Sequence, residues 1–423
     1  MLLRFAVTNF GAFLDRQELS FVASRSYPPG TPGVHEVEIG GKTHHVLSAM
    51  ATYGANASGK TTVLLALLAL SFAVEQSHRS WKPDGDIPTR VRRPHAMASP
   101  KSPTIFEIEC LVDGVRYQYC CGFDSSRVTM EELHYWPKTK KSLIFSRDGS
   151  GKVECARRWS VLSRLSQFLR PNSLLLSVAV QNGVGQLAGF VTWLTRIALA
   201  DRDNDSGRLA YAAKRLLESA SQARVAGLLS SADIGVTAVS GREKAAPGTA
   251  IRLLQIVTGI GGTSDMSSYI DLGNKMRRIV FTHRGRDEQK FRLFERDESK
   301  GTLALMQMAF PLFDTIDHGS LLLVDEFEHS LHPHVAAKLL STFLSEAKIG
   351  SQLLLTSHDE QLLRLLPQDA VWFTEKSSCG EARLFPLTDF SLGGISDVAK
   401  AYDRGRFGAV PQLDELLKVN ADG

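Results

Sequence analysis

Residues 54–62 of the chain read Gly54-Ala55-Asn56-Ala57-Ser58-Gly59-Lys60-Thr61-Thr62. This run has the spacing G-x-x-x-x-G-K-[ST] of a phosphate-binding loop. Gly54 and Gly59 would let the backbone bend so that successive N–H groups point at phosphate oxygens, beside the positive end of the next helix dipole. Lys60 would reach the β- and γ-phosphates, and the Thr61 hydroxyl would hold Mg²⁺. A chance match in a glycine-rich turn is the competing interpretation.

The segments on both sides of this loop favour the nucleotide-binding interpretation. Residues 45–53 are mostly apolar and read as a short strand. Residues 63–70 are apolar on every side, which is typical of a helix buried against a sheet. The sequence therefore predicts a strand, a phosphate loop and a helix in succession, with ATP as the ligand.

The composition indicates an ordinary soluble protein. The chain has 423 residues, of which 43% are hydrophobic and 22% charged, so its length allows more than one domain. A formal charge of +4 is too small to argue for nucleic acid by itself. The N-terminus does not read as a signal peptide, and no apolar run approaches the 18 or so residues of a membrane span. Because the five cysteines are scattered without a C-x-x-C pair, we expect reduced thiols in a cytoplasmic protein.

The region before the loop is predicted to be rich in β-structure. Residues 2–23 read as two strands, and residues 34–39 and 42–46 read as a hairpin around Gly40-Gly41. An aromatic residue in such an entry segment can stack on the adenine ring. Phe10 or Phe13 could do so, and membership of the core is the alternative for each.

A proline-rich loop and an antiparallel subdomain follow the buried helix. Residues 81–103 hold five prolines and the cluster Arg90, Arg92 and Arg93, which could contact nucleic acid or simply face water. Residues 106–112 and 115–119 alternate in polarity around Asp113-Gly114 and predict a hairpin. A third strand near residues 130–136 would complete this subdomain.

The pattern then becomes helical and later returns to strands. Residues 157–231 carry apolar side chains at i, i+3 and i+4, without the sustained heptads of a long coiled coil. Strand signals return near 235–239, 279–281 and 290–294, whereas 261–274 shows no periodicity. We therefore predict three segments: the N-terminal half of an ATPase domain (1–156), a helical insertion (157–234) and the C-terminal half of the ATPase domain (235–423).

A buried strand at residues 321–326 ends in two carboxylates, Asp325 and Glu326. In a parallel sheet this position lies at the carboxyl edge, beside the phosphate loop. Asp325 would complete the Mg²⁺ shell, and Glu326 would polarise the water that attacks the γ-phosphate. Capping of the next helix is the competing role for both carboxylates.

Two further positions would complete a nucleotide site. Ser299 and Gly301 form a Ser-x-Gly turn before an apolar helix and could bind an anion, although helix capping alone would explain Ser299. His358 ends another buried strand, where it would contact the γ-phosphate as a switch residue or serve a structural role. A metal site at His329, His332 and His334 is an alternative that lacks a clear carboxylate partner.

These motifs and their order resemble the SMC/RecF-like ABC ATPases, and among them the short bacterial RloA, AbiLii and OLD-like ATPases. The residues that carry the resemblance are Val7-Thr8-Asn9-Phe10, GANASGKTT, residues 298–302, LLLVDEFEHSLHP, TSHD and the tail from Tyr402 to Pro411. The resemblance implies an α/β P-loop NTPase fold with an ABC-type nucleotide-binding domain, an antiparallel β subdomain and a helical insertion. It spans most of the chain and is weakest from residue 157 to residue 274.

The resemblance also implies a mechanism and a setting. Ser299 and Gly301 would bind the γ-phosphate of ATP held by another subunit, so that a homodimer or larger homo-oligomer closes around ATP and Mg²⁺. Lys300 departs from the small or acidic residue of many relatives, and Gln181 is the candidate for the glutamine that couples Mg²⁺ to the lobes. The implied setting is bacterial defence against phages or plasmids, including abortive infection, with a separate effector protein.

Other functions are weighed against this one. OLD-type relatives carry a nuclease domain, but the roughly 65 residues after His358 hold no Asp-x-Asp motif, so we expect no nuclease here. A DNA repair or maintenance ATPase that clamps DNA directly is the main alternative, so nucleic acid is a possible partner. A transporter ATPase is disfavoured because the phosphate loop and the signature turn lie too far apart.

Overall fold

The computed structural model describes residues 1–200, 205–232, 235–245, 275–393, 395 and 397–410. The chain divides into two compact units. The first unit comprises Met1–Leu199, Thr315–Phe327 and Leu340–Gly423, and the second comprises Ala200–Asp314 and Glu328–Leu339. This division differs from the three predicted segments, because the first half of the predicted helical insertion belongs to the first unit. Residues 261–274, for which the sequence gives no periodicity, lie outside the described residues.

The described residues form both strands and helices. The strands are β1 (Leu2–Thr8), β2 (Gln17–Ser20), β3 (Val34–Ile39), β4 (Lys42–Leu47), β5 (Ala49–Gly54), β6 (Thr104–Val112), β7 (Val115–Phe123), β8 (Val128–Trp136), β9 (Ser142–Arg147), β10 (Val153–Cys155), β11 (Ala198–Ala200), β12 (Val236–Ala245), β13 (Lys275–Arg284), β14 (Lys290–Phe294), β15 (Leu321–Val324), β16 (Gln352–Thr356), β17 (Val371–Lys376) and β18 (Ala382–Pro386). The helices are α1 (Lys60–Gln76), α2 (Ser160–Leu165), α3 (Leu175–Gln181), α4 (Ala188–Thr195), α5 (Asp205–Arg215), α6 (Ser219–Ser231), α7 (Lys300–His318), α8 (Pro333–Glu346), α9 (Glu360–Leu363) and α10 (Val398–Asp403).

A six-stranded sheet of order β11-β15-β16-β5-β17-β18 forms the core of the first unit. Strands β15, β16, β5 and β17 run parallel to one another, β18 is antiparallel to β17, and every residue of β5, β15 and β16 is buried. Helix α1 packs on β5 and β16 through its apolar residues. This order places the carboxyl ends of β15, β16 and β5 at one edge of the sheet.

The strand predicted over residues 45–53 is divided at Ser48. Strand β4 pairs with β3 in a separate two-stranded sheet, whereas β5 pairs with β16 and β17. The continuous apolar pattern across residues 46–53 hides this division, because the end of β4 and all of β5 are buried.

A second sheet of the first unit is antiparallel and has the order β10-β9-β8-β7-β6-β1-β2. It contains the predicted hairpin and third strand together with β9 and β10, which the sequence analysis did not detect. Buried Glu131 of β8 accepts hydrogen bonds from the backbone N–H of Leu175 and Leu176, at 2.6 and 2.9 Å, and so fixes the start of α3 against this sheet. The predicted antiparallel β subdomain is therefore confirmed.

The second unit contains the three-stranded antiparallel sheet β12-β13-β14, with α5 and α6 packed on β12 and α5 also on β13. Its buried apolar residues include Val239, Ile279 and Phe281. The predicted α/β P-loop class is therefore confirmed: the chain has helices, a parallel sheet with a phosphate loop, and an antiparallel sheet. Within the part of the chain that the structure describes, we find no helix long and apolar enough to cross a membrane.

Candidate nucleotide-binding site

The phosphate loop connects β5 to α1, as predicted. Gly54 has φ 157° and Gly59 has φ 109°. A Cβ atom on Gly54 would lie 2.4 Å from the carbonyl oxygen of Thr374, so the loop has no room for a larger residue there. The buried Ser58 hydroxyl lies 2.6 Å from the Thr374 hydroxyl and anchors the loop to β17. These contacts hold the backbone in the bent conformation that a phosphate cradle requires.

The loop presents its middle to solvent and keeps its cation close to the backbone. Asn56 and Ala57 are exposed, Ala55 and Thr62 are half-buried, and Lys60 is buried. The Lys60 ammonium donates to the carbonyl oxygens of Gly54 and Ala55 at 2.8 and 3.0 Å. The first turn of α1 carries no acidic side chain, so nothing there offsets the positive end of its dipole. An anion is the ligand that this arrangement favours.

A chain of hydrogen bonds connects the loop to the side chain of Asp325 and to the backbone of Glu326. The Thr61 hydroxyl lies 2.9 and 3.1 Å from the two carboxylate oxygens of Asp325. The Thr356 hydroxyl donates to Asp325 Oδ1 at 2.6 Å and accepts from the backbone N–H of Glu326 at 2.8 Å. Thr356 is fully buried at the end of β16, next to β15. One buried threonine therefore positions both Asp325 and Glu326.

The oxygens of Thr61 and Asp325 fit a hard divalent cation. Mg²⁺ beside a triphosphate is bound by a hydroxyl at the start of the helix that follows the phosphate loop and by a nearby carboxylate. Here the Thr61 hydroxyl and the Asp325 carboxylate lie within 3.1 Å of each other. Glu326 follows Asp325 with φ 49°, a left-handed conformation that is uncommon for glutamate. Such local strain is found at functional sites when the surrounding structure enforces it.

His358 lies at the same edge of the sheet. It follows β16 by two residues, and its side chain is exposed. The backbone N–H of Ser357 donates to the carbonyl oxygen of Thr52 in β5, at 3.2 Å, which extends the register of the parallel strands up to His358. The structure therefore brings the phosphate loop, Asp325, Glu326 and His358 to one sheet edge.

Ser299 and Gly301 belong to the second unit and lie at the start of α7. The Ser299 hydroxyl accepts from the backbone N–H of Thr302 at 3.1 Å, which is an N-cap, and it also lies 2.8 Å from the Thr302 hydroxyl. The capping role considered for Ser299 is thus present. The predicted contact with a γ-phosphate of another subunit stays a prediction.

The histidines near α8 do not form a metal cluster with acidic residues in the described ranges. His332 and His334 have ring centroids 5.2 Å apart. They line a pocket of about 500 Å³ in the second unit, together with Ser299, Gly301 and Lys338. Among the residues that the structure describes, no group of three or more His, Cys, Asp or Glu residues could hold a metal ion.

The C-terminal tail packs beneath the phosphate loop. The ring of Tyr402 stacks on Phe373 of β17 at 5.4 Å and meets Tyr53 of β5 at 5.7 Å. Burial raises the pKa of Tyr402 to about 12, and a hydrogen bond from the Gly54 backbone partly opposes this rise. Phe407 stacks on the same Phe373 ring at 5.5 Å. The tail, which the sequence analysis identified only by resemblance, therefore supports the residues immediately before the loop.

Of two weaker hypotheses, adenine stacking by Phe10 or Phe13 does not fit the structure, and the arginine cluster stays a candidate. Phe10 and Phe13 are fully buried, so neither is available to stack on an adenine. Arg90 and Arg93 are exposed, and Arg92 is half-buried and donates to the carbonyl oxygen of Pro100, so the contact of this cluster with nucleic acid stays a prediction.

Gln181 is far from the phosphate loop. It lines a pocket with Val74, Glu75 and Arg79 at the C-terminal end of α1. Because a helix rises about 1.5 Å per residue, that end lies about 20 Å along the helix from Lys60. Gln181 therefore does not serve as the glutamine that couples Mg²⁺ to the lobes.

The sequence analysis also missed two contributors, Thr356 and Thr374. Both are buried threonines in the strands that flank β5. A polar residue at the end of an otherwise apolar parallel strand is the signal that could have indicated them.

Comparison with known proteins places these features in a family. A family model described as "AAA domain, putative AbiEii toxin, Type IV TA system" matches residues 51–364, which include the phosphate loop, Asp325, Glu326 and His358. No significant match was found among curated proteins. Among solved structures, the SMC head domain from Thermotoga maritima is 13% identical over 91% of this chain and 98% of that chain, with a TM-score of 0.42. The SmcHead bound to the C-winged helix domain of ScpA is 12% identical over 90% of this chain and 96% of that chain, with a TM-score of 0.41.

Proposed function

We propose that this chain, which belongs to the AAA-domain family identified by that model, hydrolyses ATP with Mg²⁺ and thereby controls a separate effector protein. The observation that carries the proposal is the hydrogen-bond chain from Thr61 through Asp325 and Thr356 to Glu326. It connects the phosphate loop to the Asp325 carboxylate and to the backbone of Glu326, the residue that directly follows the metal-binding position. An ATPase requires this combination, whereas a protein that only binds phosphate does not need the second carboxylate.

The proposed reaction is the attack of water on the γ-phosphorus of ATP. Glu326 accepts a proton from the water, a bond forms between that oxygen and phosphorus, and the bond to the β-phosphate oxygen breaks to give ADP and phosphate. Lys60 and the N–H groups of residues 55–62 hold the phosphates in place. Mg²⁺ bound by Thr61 and Asp325 would offset the negative charge on the β- and γ-phosphates. His358 would contact the γ-phosphate and respond to its loss.

Assembly is the second part of the proposal. Ser299 and Gly301, together with the positive end of α7, would bind the γ-phosphate of ATP on another copy of the chain. A homodimer or larger homo-oligomer would then close when ATP is bound and open after hydrolysis, because only the closed state gains these contacts. The resemblance to SMC/RecF-like ABC ATPases supports this arrangement.

The biological setting is proposed from the family description and the resemblance. The family is described by reference to the AbiEii toxin and a type IV toxin–antitoxin system. The resemblance to RloA, AbiLii and OLD-like ATPases supports an abortive-infection or anti-phage system. In this proposal the chain is a cytoplasmic sensor and scaffold, and the toxic activity belongs to the effector.

A phage challenge tests this setting. Cells that express the chain together with its neighbouring genes should show a reduced plating efficiency of phage, and Glu326→Gln should abolish this protection at equal protein levels. Protection that is unaffected by Glu326→Gln would separate defence from ATP hydrolysis. The absence of protection against a broad phage panel would contradict the defence role while leaving the ATPase proposal intact.

A further inference from the structure

One face of the sheet β12-β13-β14 is strongly basic. The register pairs Arg242 with Arg278 and Val280 with both Ser240 and Phe294, so even-numbered residues of the three strands share a face. We call this the basic sheet face. No strand position on it is Asp or Glu, and its cationic residues are Arg242, Lys244, Arg278, Arg284, Lys290 and Arg292.

The opposite face of this sheet is the one that the helices cover. A Cβ atom on Gly241 would lie 2.6 Å from the carbonyl oxygen of Ala213 in α5, and Ile279 and Phe281 are fully buried. On that side Arg277 forms an ion pair with Glu243 at 2.9 Å. The odd-numbered face thus holds the buried apolar residues that the helices cover, and the contrast lies in the even-numbered one.

The cations of the basic sheet face are exposed and mostly unmatched. Arg242, Lys244, Arg284, Lys290 and Arg292 are all exposed. Within the described part of the chain none of these five forms an ion pair, and only Arg278 is neutralised, by Glu295. The acidic residues next to β14 in sequence are Asp287 and Glu288 in the turn before it, and Glu295 and Asp297 directly after it.

Two pairs of like charges lie directly opposite each other on neighbouring strands. Arg242 faces Arg278, and Arg284 faces Lys290. Like charges in such cross-strand pairs destabilise a sheet, by an amount similar to what opposite charges contribute. Glu295 matches the charge of Arg278, so the uncompensated pair is Arg284 with Lys290, and an anionic ligand that bridges the strands would offset its cost.

The spacing of these cations suits a polymer with regular negative charges. Strands lie about 4.8 Å apart, and residues i and i+2 of a strand lie about 6.7 Å apart, so the face is a two-dimensional array and not a single anion site. Nucleic acids carry one phosphate per about 3.4 Å of helix axis on each strand. A single phosphate or nucleotide would engage only a small part of this array.

An aromatic ring distinguishes nucleic acid from an acidic protein. Phe294 is 39% exposed on the basic sheet face, and the guanidinium of Arg278 lies 5.0 Å from its ring centroid. Exposed rings and arginine planes are the groups on which nucleotide bases stack, and an acidic peptide gains little from them. We infer that the basic sheet face binds nucleic acid, through its phosphates and through stacking on Phe294.

This site is separate from the ATP site, since it shares no residue with it. It goes beyond the proposed function by assigning a ligand class to the second unit, and it rests on the sheet alone. In the defence proposal, nucleic acid bound here is what the sensor detects.

Fluorescence anisotropy of the full-length protein without ATP tests the inference. The probes are a labelled single strand of about 20 nucleotides, the matching duplex and the corresponding RNA, at about 50 to 200 mM salt. The variant combines Arg242→Glu with Arg292→Glu. Its control combines Lys138→Glu with Lys140→Glu, which changes the net charge equally at exposed positions of the first unit.

We expect the wild type and the control to bind with similar, salt-dependent affinity, and the Arg242/Arg292 variant to bind at least about tenfold more weakly. Its slope of log affinity against log salt for the single strand should be smaller by about 1.4, at about 0.7 for each lost phosphate contact. If bases stack on the ring, Phe294→Ala should weaken binding of the single strand more than binding of the duplex. Thermal unfolding of each variant verifies that it is folded, and Arg242→Gln with Arg292→Gln replaces the charge reversal if that variant does not fold.

Equal binding by the charge-reversed variant and the control would overturn the inference, as would no salt-dependent binding of any probe by the wild type. Binding of poly-glutamate in place of nucleic acid would also overturn it and point to an acidic protein partner. ATP turnover measured without nucleic acid is a separate readout. Its absence in the wild type would refute the proposed function and leave the binding result standing.

Discussion

The hydroxyl of Thr356 lies 2.6 Å from Oδ1 of Asp325 and donates a hydrogen bond to it. The Thr356 hydroxyl oxygen also accepts a hydrogen bond from the backbone N–H of Glu326 at 2.8 Å. Residues that are about 30 positions apart in sequence are therefore held together at the end of two parallel strands. Because Thr356 is fully buried, water cannot replace either bond.

Replacing Thr356 with valine should slow ATP hydrolysis with little effect on ATP affinity. The substitution keeps the shape and leaves Asp325 and the Glu326 N–H without their partner, at a cost of about 1–3 kcal/mol. If that cost falls on the transition state, kcat decreases by about one to two orders of magnitude. Thr356→Ser retains the hydroxyl and serves as the control. A valine variant with a normal kcat would show that this threonine does not position the catalytic carboxylate.

Replacing Lys60 with alanine should abolish productive ATP binding. The ammonium is the one cation of the loop, and its contacts with Gly54 and Ala55 keep it at the phosphate position. Titration with a fluorescent ATP analogue measures the affinity, and Lys138→Ala, at an exposed position elsewhere in the first unit, is the control. Unchanged affinity and turnover in Lys60→Ala would contradict the assignment of the phosphate loop.

Replacing Tyr402 with alanine should destabilise the protein and weaken ATP binding together. The change removes a buried ring that contacts Tyr53 and Phe373, and such truncations cost about 3–5 kcal/mol. Tyr402→Phe keeps the ring and loses only the hydroxyl, which donates to the Ala409 carbonyl oxygen at 3.3 Å, so it should be milder. Denaturant unfolding and the KM for ATP are the two measurements. A folded alanine variant with a normal KM would show that the tail does not support the loop.

The sequence predicted well which residues meet at the carboxyl edge of the parallel sheet, because its signals are local. A phosphate loop, a strand that ends at Asp325 and Glu326, and a strand followed by His358 are each read from a few consecutive residues. The roles of Thr356 and Thr374 depend on which strands are neighbours, and that order is set by packing across the whole sheet. Gln181 was misplaced for the same reason, since its distance from Lys60 follows from the path of α1.

The basic sheet face could not be predicted from the sequence, for a related reason. Arg242, Arg278 and Arg292 lie in three separate strands, and between β12 and β13 the chain runs through about 29 residues. Only the register shows that these residues share a face and that like charges are opposed. The overall charge of +4 gives no hint of it, because acidic residues elsewhere balance the sum.

Assembly should depend on ATP. Glu326→Gln with ATP and Mg²⁺ should form a stable dimer or larger assembly, because the nucleotide that closes the interface is not consumed. Adding Ser299→Arg should prevent closure by placing bulk and positive charge at the interface. Since Ser299 also caps α7, the control is Glu326→Gln with Ser299→Ala, which loses the same cap at a cost of about 1 kcal/mol. Analytical ultracentrifugation with ATP and with ADP measures the mass. An identical mass under all conditions would mean that ATP does not control assembly.

The most direct test of the account is ATP turnover by the wild type and by Glu326→Gln, with ATP binding measured on the same preparations. We expect the wild type to release phosphate in the presence of Mg²⁺. The glutamine variant should bind ATP with similar affinity and hydrolyse it slower by at least about two orders of magnitude, because an amide cannot accept the proton from water. Equal turnover by the two proteins would show that Glu326 is not the catalytic base and would contradict the central claim.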